Sequence, residues 1–561
     1  MPMMTRMGRG LLAYTVLGLA VSNVLAQVTP PPTVDPGALQ RQRIDESVLQ
    51  QQRERLEAPQ NPDVLRTDDL TPGAAAITDE GPRFTLAQIL FSPSDILPAA
   101  ALATLAAEYT GHEISFGDVE RLLARINTMY VEQRVLTARA MVEPQDISDG
   151  ILDVRLVEGR VGQVSVAGNA TTREGYITRR IQVDSGALVD LRSLERSLKR
   201  FNRGNDIQLS AELKAGSAFA TTDVILNATE PAGFEFRTMV DNYGSRSTGI
   251  WRAGVFFTNR SLTGVRDKLD LTTIQAGGQQ SYSVSYDRPI NRSGGRVQIA
   301  YFDDHTDVEH GPLASLDLSG KSNAVTGSLR QPLLTDGGVQ LDGILSGKWR
   351  KAETTSADVL LQEVTSYDVG LGVEAWRVYA RGYWSASYTY SLGRARIDDS
   401  KVYHVGRGML LGNVALADHW ALQGRINFQH SPDNVLIASE QMLIGSQSSV
   451  RGYSVGTYAG DDGHSGTIEV IHQLPVVSNV WGSNALAANY SLFLDHGKVK
   501  PFVPPNSTLD IDQKLTSTGI ALEAVLGRRL AVRGVLAYGF NDTPEEKGGV
   551  FGGLQIVATL F

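Results

Sequence analysis

A glycine- and serine-rich stretch at residues 446–456 contains residue types that could, at this spacing, form a catalytic or charged site. Gly-Tyr-Ser-Val-Gly at 452–456 matches the Gly-x-Ser-x-Gly pattern of hydrolase nucleophile elbows, in which a strand precedes the serine and a helix follows it. The next residues, 457–463, include two glycines and two aspartates and cannot start a stable helix. The sequence therefore argues against an acyl-transfer nucleophile at Ser454.

The same stretch carries one arginine, Arg451, which predicts an electrostatic role. It lies late in a long run of alternating strands. There a guanidinium must face water or bind a carboxylate, because burying it unpaired costs several kcal/mol. A candidate partner is Asp495, in Phe-Leu-Asp-His-Gly at 493–497. Glu469, in Gly-Thr-Ile-Glu-Val at 466–470, is interpreted as a polar residue that faces the interior, with a structural role beside the loop as the alternative. We therefore predict a loop anchored by Arg451 to Asp495.

No motif predicts a metal, nucleotide or cofactor site. Gly-Lys-Ser at 320–322 resembles the end of a phosphate-binding loop, but the glycine required five residues earlier is Ser315. The nine histidines are scattered, without a His-Glu-x-x-His pair. The formal net charge of -9 argues against a nucleic-acid binder, which would show a basic face. We expect no cofactor, no bound energy source and no enzymatic activity.

Residues 1–26 are predicted to be a secretory signal peptide. Arg6 and Arg9 precede an uncharged apolar run at 11–25, and Val-Leu-Ala at 24–26 offers a small-residue cleavage site. A short membrane anchor is the alternative. The chain contains no cysteine, as expected of a protein that crosses an oxidising compartment unfolded.

A polar helix is predicted within residues 27–58. Residues 37–57 are rich in Gln, Arg and Glu, with only a sparse apolar pattern. A helix this polar needs water or a polar cavity around it, although a solvated coil without a function is the alternative. Residues 59–82 contain four prolines and no periodicity, which predicts a flexible linker.

Two small α+β domains are predicted at residues 83–159 and 160–231. Helices with one apolar face are expected at 98–109, 116–130 and 188–202, and short alternating strands surround them. The apolar faces are interpreted as domain cores. The exposed sheet edges carry unpaired backbone groups, which an extended peptide could pair with whatever its sequence.

Residues 232–561 alternate with a period of two and form the largest unit. Tyr282, Val284 and Tyr286, for example, alternate with serines and an aspartate at 281–287. This pattern is typical of a transmembrane β-barrel with lipid outside and a wet lumen inside. Allowing ~20 residues for each strand with its turn, we predict about 16 antiparallel strands. The terminal Phe561 is consistent with the C-terminal assembly signal of such barrels.

The paired motifs resemble the signature of the outer-membrane insertase and translocase superfamily. The first is Val450-Arg451-Gly452-Tyr453, and the second has Phe493, Asp495 and Gly497 in alternate positions. The order of domains resembles the two-partner secretion branch, with two polypeptide-transport-associated (POTRA) domains before the barrel. A further match lies at the end of the first domain, in Pro144, Gln145, Asp146, Gly150, Glu158 and Gly159. Arg134 departs from the family, which often has glycine there.

The resemblance implies a transporter in the outer membrane of a Gram-negative cell, with its POTRA domains in the periplasm. The helix at 37–57 would plug the lumen. The transporter would export, without ATP, an unfolded β-helical exoprotein. Other partners would be outer-membrane lipids and, during biogenesis, the barrel-assembly machinery. An insertase of outer-membrane proteins and a simple porin are the alternatives.

Overall fold

The computed structural model describes most of the chain, in the ranges 35–57, 64–66, 82–133, 135, 137–335, 338–397, 399–432, 436–481, 484–501, 513–527, 529–543 and 547–560. The expected signal peptide, Arg134 and Phe561 lie outside the described residues, as does most of the predicted linker.

The α-helices of the described residues all lie in the first part of the chain. They are α1 (Pro36–Glu57), α2 (Ala99–Ala107), α3 (Phe116–Glu132), α4 (Glu174–Thr178) and α5 (Leu191–Gly204). Within the part of the chain described, none of them combines the length and apolar character that crossing a bilayer requires.

Helix α3 shows why this local sequence folds as a helix. The Ser115 hydroxyl accepts a hydrogen bond from the Asp118 backbone N–H at 3.2 Å, and the Asp118 carboxylate accepts one from the Ser115 N–H at 2.8 Å. Each side chain thus satisfies a backbone donor at the helix start. The hydrogen bonds from Ser115, with that from Arg121, lower the pKa of Asp118 to about 2.

Nine short strands precede the barrel. They are β1 (Leu65–Arg66), β2 (Arg83–Thr85), β3 (Gln88–Phe91), β4 (Glu113–Ser115), β5 (Ala138–Met141), β6 (Ile151–Glu158), β7 (Arg160–Ala167), β8 (Gln208–Ala215) and β9 (Thr221–Thr229).

Apart from the short antiparallel pair of β2 and β4, strands β3 to β9 form two units with the same topology. Each unit runs strand, helix, helix, strand, strand, and in the first unit β4 lies between the two helices. In each, the first strand pairs in parallel with the third, and the second pairs antiparallel to the third. Each unit has its own buried core. Helix α4, in the second unit, was not predicted.

Strand β1 lies within the stretch predicted to be a flexible linker, so that prediction is wrong for these residues. Leu65 and Arg66 pair in parallel with Ala211 and Glu212 on β8, and Val64 is buried in the core of the second unit. Val64 is buried in that core and Leu65 is partly buried against it, and this apolar burial explains the docking of the short segment.

The remaining strands run to the end of the described chain. They are β10 (Phe234–Asp241), β11 (Arg252–Asn259), β12 (Lys268–Gln275), β13 (Gln279–Pro289), β14 (Arg296–Asp307), β15 (Leu318–Leu334), β16 (Gln340–Ser356), β17 (Val359–Tyr379), β18 (Gly382–Arg396), β19 (Ser400–Ala417), β20 (Trp420–His430), β21 (Met442–Ile444), β22 (Tyr458–Gly460), β23 (Asp462–Gln473), β24 (Val477–Trp481), β25 (Asn484–Lys500), β26 (Gln513–Leu526), β27 (Leu530–Gly539) and β28 (Val550–Thr559).

These strands close into an antiparallel barrel, because β10 pairs with β28. Strands β23 and β24 both pair with β25 and act as one interrupted strand. Strands β21 and β22 are not part of the wall. The described residues thus form a barrel of sixteen strands, and the predicted fold is confirmed. The predicted alternation also holds: Tyr282 and Val284 are exposed on the outside, whereas Ser281 is buried.

Between β20 and β23, residues 436–461 fold into the barrel, and we call them the inner loop. It contains the 3-10 turn Ala438–Glu440 and the β21–β22 hairpin. Its buried apolar side chains pack against Val499 and Leu515 of the wall. The predicted signature motif at 450–453 therefore lies in the lumen, as does α1.

Candidate functional site in the barrel lumen

Arg451 of the inner loop binds Asp495 of β25 in a two-pronged ion pair. Nε and Nη2 of Arg451 donate to the two carboxylate oxygens at 2.7 and 2.9 Å, and the Arg451 backbone N–H adds a third bond at 3.1 Å. Nη1 also donates to Glu469 at 3.2 Å. The guanidinium lies 3.4 Å from the ring centre of Phe493. The structure brings together the residues singled out from the sequence, and the guanidinium is compensated on every side.

Two glycines allow the loop to approach the wall this closely. Gly452 has a φ of +90°, a conformation that favours glycine. A Cβ on Gly497 would lie 2.9 Å from Cγ2 of Val450, so a side chain here would push the loop away. Beyond them, the Tyr453 hydroxyl donates to the Thr516 carbonyl at 3.0 Å and accepts from the Asn541 N–H at 2.8 Å.

The serine of the Gly-x-Ser-x-Gly match is not placed as in a hydrolase. Ser454 is followed by the short strand β22, not by a helix. The arrangement that would activate this serine is therefore not formed.

Glu440 is a second anchor of the inner loop, which the sequence did not reveal. Its carboxylate is fully buried and contacts three cations of the wall: Lys348 at 2.7 Å, Arg350 at 3.1 Å and Arg407 at 2.7 Å. The Glu440 carbonyl also accepts a hydrogen bond from Gln429 at 2.9 Å. The loop is thus fixed by an acidic side chain at one end and a basic side chain at the other.

The start of α1 packs against the same anchor. Arg41 donates to the Gln441 carbonyl and to the Gln429 side chain, both at 2.9 Å. Gln40 accepts from Arg350 at 3.2 Å. The wall cations that hold the loop therefore also contact the helix.

Along its length, α1 is held mainly by polar side chains. Arg43 forms an ion pair with Asp304, and Arg55 forms one with Glu374 at 2.6 Å. Gln52 donates to the same Glu374 at 2.7 Å. Buried apolar side chains are found near its two ends, with Ala38 and Leu39 at the start and Leu56 among wall residues at the end. These contacts explain how so polar a helix is buried.

Helix α1 also touches the inner loop and borders two cavities. Ser448 donates to Glu46 at 2.7 Å. The cavities have volumes of about 280 and 310 Å³ and are lined by α1, the inner loop and the wall. Each has room for several water molecules. The lumen is therefore polar, is occupied by α1 and the inner loop, and retains open cavities beside them.

The residues noted at the end of the first α+β unit have structural contacts. Gln145 exchanges two hydrogen bonds with the backbone of Asp153, at 2.9 and 2.8 Å. Asp146 accepts from the Ser148 N–H at 3.0 Å. Glu158 accepts from the Tyr130 hydroxyl at 3.1 Å, and burial raises the pKa of Tyr130.

The rest of that motif permits tight packing. Gly150 has a φ of +72°, and a Cβ there would lie 2.8 Å from the Thr85 carbonyl. A Cβ on Gly159 would lie 2.6 Å from the Thr137 carbonyl. Pro144 directly precedes these turns. The motif therefore builds the domain and brings no reactive groups together.

Comparison with known families identifies this arrangement. The sequence profile of the haemolysin secretion/activation proteins ShlB/FhaC/HecB matches residues 220–522, more than half of the chain. The chain belongs to this family. A second profile, the POTRA domain of ShlB type, matches residues 84–159.

Individual relatives of the family agree along most of their length. The heme/hemopexin transporter protein HuxB of Haemophilus influenzae strain 86-028NP is 24% identical over 540 residues, 91% of this chain and 92% of the relative. The outer membrane transporter CdiB of Dickeya dadantii is 25% identical, over 84% of this chain and 86% of the relative. The structure of CdiB from Escherichia coli shares the fold, with a TM-score of 0.62 and 19% identity over 93% and 98% of the two chains.

The protein is therefore an outer-membrane transporter of two-partner secretion, with periplasmic POTRA domains and a secreted protein as its partner. This confirms the resemblance and the localisation expected from the sequence. The family consists of transporters and is not a known class of enzymes.

Proposed function

We propose that the protein passes an unfolded exoprotein through a lumen that α1 occupies at rest, without ATP and without a catalytic step. The observation that supports this proposal is that α1 contacts the barrel wall mainly through polar side chains. Its arginines and glutamines contact wall residues through hydrogen bonds and ion pairs. Water or a polar client can replace such contacts one at a time, whereas a packed apolar core cannot be replaced in this way.

The client first meets the edges of the two soluble units. Strand β5 of the first unit pairs with β6 on one side only, and no strand covers its other side among the described residues. The corresponding edge of the second unit, on β8, is covered by β1. An extended client segment can pair with β5 directly, and it can pair with β8 only by replacing β1.

Replacing β1 acts on α1, because the two segments are close in sequence. A client with an apolar residue can occupy the place of Val64 in the core of the second unit. The segment that leads to α1 then comes away from the second unit. Binding of the client thereby favours departure of the helix from the lumen.

The inner loop stays in place while the client passes. The Arg451–Asp495 and Arg350–Glu440 ion pairs are almost completely buried. By contrast, the ion pairs of α1 involve arginines that are partly accessible. Separating a buried ion pair costs more than separating one that water reaches, so the helix moves first.

Folding of the client outside the cell gives the movement its direction. A β-helical exoprotein cannot slide back once it has folded. The relatives include a heme/hemopexin transporter, the outer membrane transporter CdiB and a hemolysin transporter. The client of this protein can be an adhesin, a cytolysin or a toxin. The barrel-assembly machinery, with Phe561 as its signal, and the lipids of the outer membrane complete the proposed partners.

Locking α1 to the wall tests the proposal. The chain has no cysteine, and a Cβ on Gly37 would lie 3.4 Å from the Cβ of Ala352 on β16, close to the separation in a disulfide. The Gly37→Cys/Ala352→Cys protein is produced together with its partner exoprotein. Secretion should stop when the disulfide forms and resume on reduction.

Each single-cysteine variant is the control and should secrete equally under both conditions, although Gly37→Cys should secrete less than the parent because its Cβ would lie 2.8 Å from that of Ser439. Undiminished secretion by the locked protein would show that α1 need not leave the lumen. Loss of secretion in a single-cysteine variant would instead show that the substitution itself disturbs the wall.

A further inference from the structure

Arg55, near the end of α1, binds the barrel wall through a carboxylate and an aromatic ring. Its Nη2 donates to Oε1 of Glu374 at 2.6 Å, and its guanidinium lies 5.6 Å from the ring centre of Trp376. Glu374 and Trp376 share one face of β17, because they are two residues apart. A planar guanidinium pairs with a carboxylate and stacks on an aromatic ring. These two wall residues therefore form a guanidinium site, which we call the Arg55 site.

Neighbouring wall residues support the Arg55 site. Nε1 of Trp376 donates to Asp342 at 3.3 Å, and Asp342 also accepts from Nε of Arg330 at 2.8 Å. The hydroxyl of Ser385 donates to Glu374 at 3.3 Å. These contacts join wall residues to one another and do not involve α1. We therefore expect the site to persist when the helix is absent.

Arg55 uses only part of what the site offers. It binds Glu374 through Nη2, whereas its Nε is buried without a hydrogen-bond partner in the described part of the chain. Oε2 of Glu374 lies 4.0 Å from Nε of Arg330, which leaves room for a closer donor. Arg451, by contrast, binds both carboxylate oxygens of Asp495. A guanidinium that donates to both oxygens of Glu374 would bind more strongly than Arg55 does.

Removal of Arg55 would leave the buried Glu374 without its nearest cation. The Glu374 side chain is 6% exposed, and the next cation, Arg330, is 4.0 Å away. At an accessible ion pair such as Lys351 and Glu363, 3.2 Å apart, water can replace either partner. A buried carboxylate is costly to leave unpaired. Arg55 therefore leaves most readily when another cation takes its place.

An apolar pocket lies beside the Arg55 site. It holds Leu56, which is buried and packs in one cluster with Trp376, Tyr383 and Leu411. Trp376 thus belongs to both the guanidinium site and the apolar pocket. A segment fits both features when it carries an arginine with a large aliphatic side chain close by.

The Arg55 site lies at the periplasmic end of the lumen. Four residues separate β9 of the second unit from β10, so β10 begins at the periplasmic end of the barrel. Successive wall strands alternate in direction, and β17, the eighth, therefore ends on that side. Glu374 and Trp376 belong to the last six residues of β17. A client that enters from the periplasm meets this end of α1 first.

We propose that Glu374 and Trp376 bind an arginine side chain of the client in place of Arg55, while a neighbouring aliphatic side chain takes the place of Leu56. This exchange rests on the proposed departure of α1 and names the client chemistry that begins it. Because one guanidinium replaces another, no buried charge is left unpaired. A lysine fits less well, since its ammonium group does not match the carboxylate and the ring as a planar guanidinium does.

Chemical rescue of Arg55→Ala tests the site without a client. In single-channel recordings the full-length variant should show a raised open fraction, because Glu374 lies unpaired beneath the helix. Ethylguanidinium, added on the periplasmic side, should lower the open fraction again. Ethylammonium should require about a fivefold higher concentration for the same effect. Neither cation should rescue Arg55→Ala/Glu374→Gln.

Arg43→Ala is the matched control for this preference. It removes another ion pair of α1, with Asp304, but no aromatic ring stacks on Arg43 within the described chain. The two cations should therefore act on Arg43→Ala at similar concentrations. An unchanged open fraction in Arg55→Ala, equal rescue of it by both cations, or rescue of Arg55→Ala/Glu374→Gln would each overturn the proposal.

Competition in the parent protein tests the exchange itself. Acetyl-arginyl-leucine amide on the periplasmic side should raise the open fraction, and acetyl-lysyl-leucine amide should do so less. The citrulline analogue has the same shape as the arginine compound but no charge, and it should have no effect. If rescue succeeds but the arginine compound does not open the parent, the exchange is wrong. Secretion by the disulfide-locked protein would instead refute the departure of α1 and leave the rescue result intact.

Discussion

The Arg451 guanidinium faces both oxygens of the Asp495 carboxylate, at 2.7 and 2.9 Å, inside a closed barrel. Loss of either group leaves the other charge buried. Removing one partner of a buried ion pair typically costs about 3–5 kcal/mol. The contact therefore fixes the position of the inner loop.

Charge reversal tests the role of this pair. Arg451→Asp or Asp495→Arg should displace the loop and reduce secretion severely, and the double exchange should restore part of it. Secretion of the partner and resistance of the folded barrel to heating in detergent are the measurements. Lys351→Gln, at an accessible ion pair, is the control and should cost less than about 1 kcal/mol. Normal secretion by Arg451→Asp would refute the anchoring role.

Glu440 should matter as much as the signature residues do. In Glu440→Gln, Lys348, Arg350 and Arg407 lose their shared counter-charge, so we expect a loss of about 3–5 kcal/mol in barrel stability. The temperature at which the folded form is lost on a gel measures the effect. Glu440→Asp keeps the charge and should recover most of the stability. If Gln and Asp behave alike, the charge of Glu440 is not what holds the loop.

Weakening the seat of α1 should open the channel. Arg43→Ala with Arg55→Ala removes two charge-assisted contacts of about 1.5–3 kcal/mol each, so the open fraction should rise at least tenfold. Single-channel recording measures the open time. Gln50→Ala is the matched control, because Gln50 is exposed and, among the described residues, hydrogen-bonds to Glu54 of the same helix alone.

Deletion of residues 36–57 removes α1 altogether and should therefore open the channel more than the substitutions do. Conductance should then exceed that of the parent, because the spaces on either side of the helix join. Unchanged conductance after this deletion would mean that α1 does not close the lumen.

Gly497→Ala should disturb the inner loop without changing any charge. The added methyl group would meet Val450, whose side chain is fully buried and cannot retreat. Overpacking of this kind costs about 1–3 kcal/mol. The matched control is Gly534→Ala, since a Cβ there has no neighbour within 4 Å. Similar heat stability of the two variants would contradict the close approach of Val450 to the wall.

The first α+β unit should lose stability in acid through Asp118. Its folded pKa of about 2 lies below the usual ~3.9. The charged form therefore stabilises the folded state fully above about pH 4, and the stabilisation is lost as the pH falls towards 2. The helical circular dichroism of the full-length protein measures this. Asp118→Asn should lower stability at neutral pH by about 0.5–2 kcal/mol and flatten the acid dependence.

Much of the architecture could be predicted because it rests on local patterns. The period of two in the C-terminal part requires a wet and an apolar face, and the Arg451 and Asp495 motifs indicated their own partnership. Glu440 could not be found in this way. Its neighbours, Ala438 and Ser439, read as an ordinary turn, and its partner Lys348 lies 92 positions away. Pairing of charges across a lumen leaves no periodic trace in the sequence.

Strand β1 was missed for a different physical reason. A strand of two residues cannot show an alternating pattern, and the prolines around it favoured a linker. Its order comes from a partner strand, since Val64 is buried by the core of the second unit. Helix α4 is similarly too short to reveal a period, and packing of Tyr176 and Ile177 determines it.

The docking of Val64 also limits the reach of α1 once it has left the barrel. Seven residue steps separate Glu57, the last residue of the helix, from Val64. Even fully stretched, they span only ~25 Å. While β1 stays paired with β8, the released helix cannot move farther than that distance, so the same molecule can close its empty pore again after each passage. A client that also displaces β1 from β8 lengthens this tether and delays closure of the pore for as long as it stays bound.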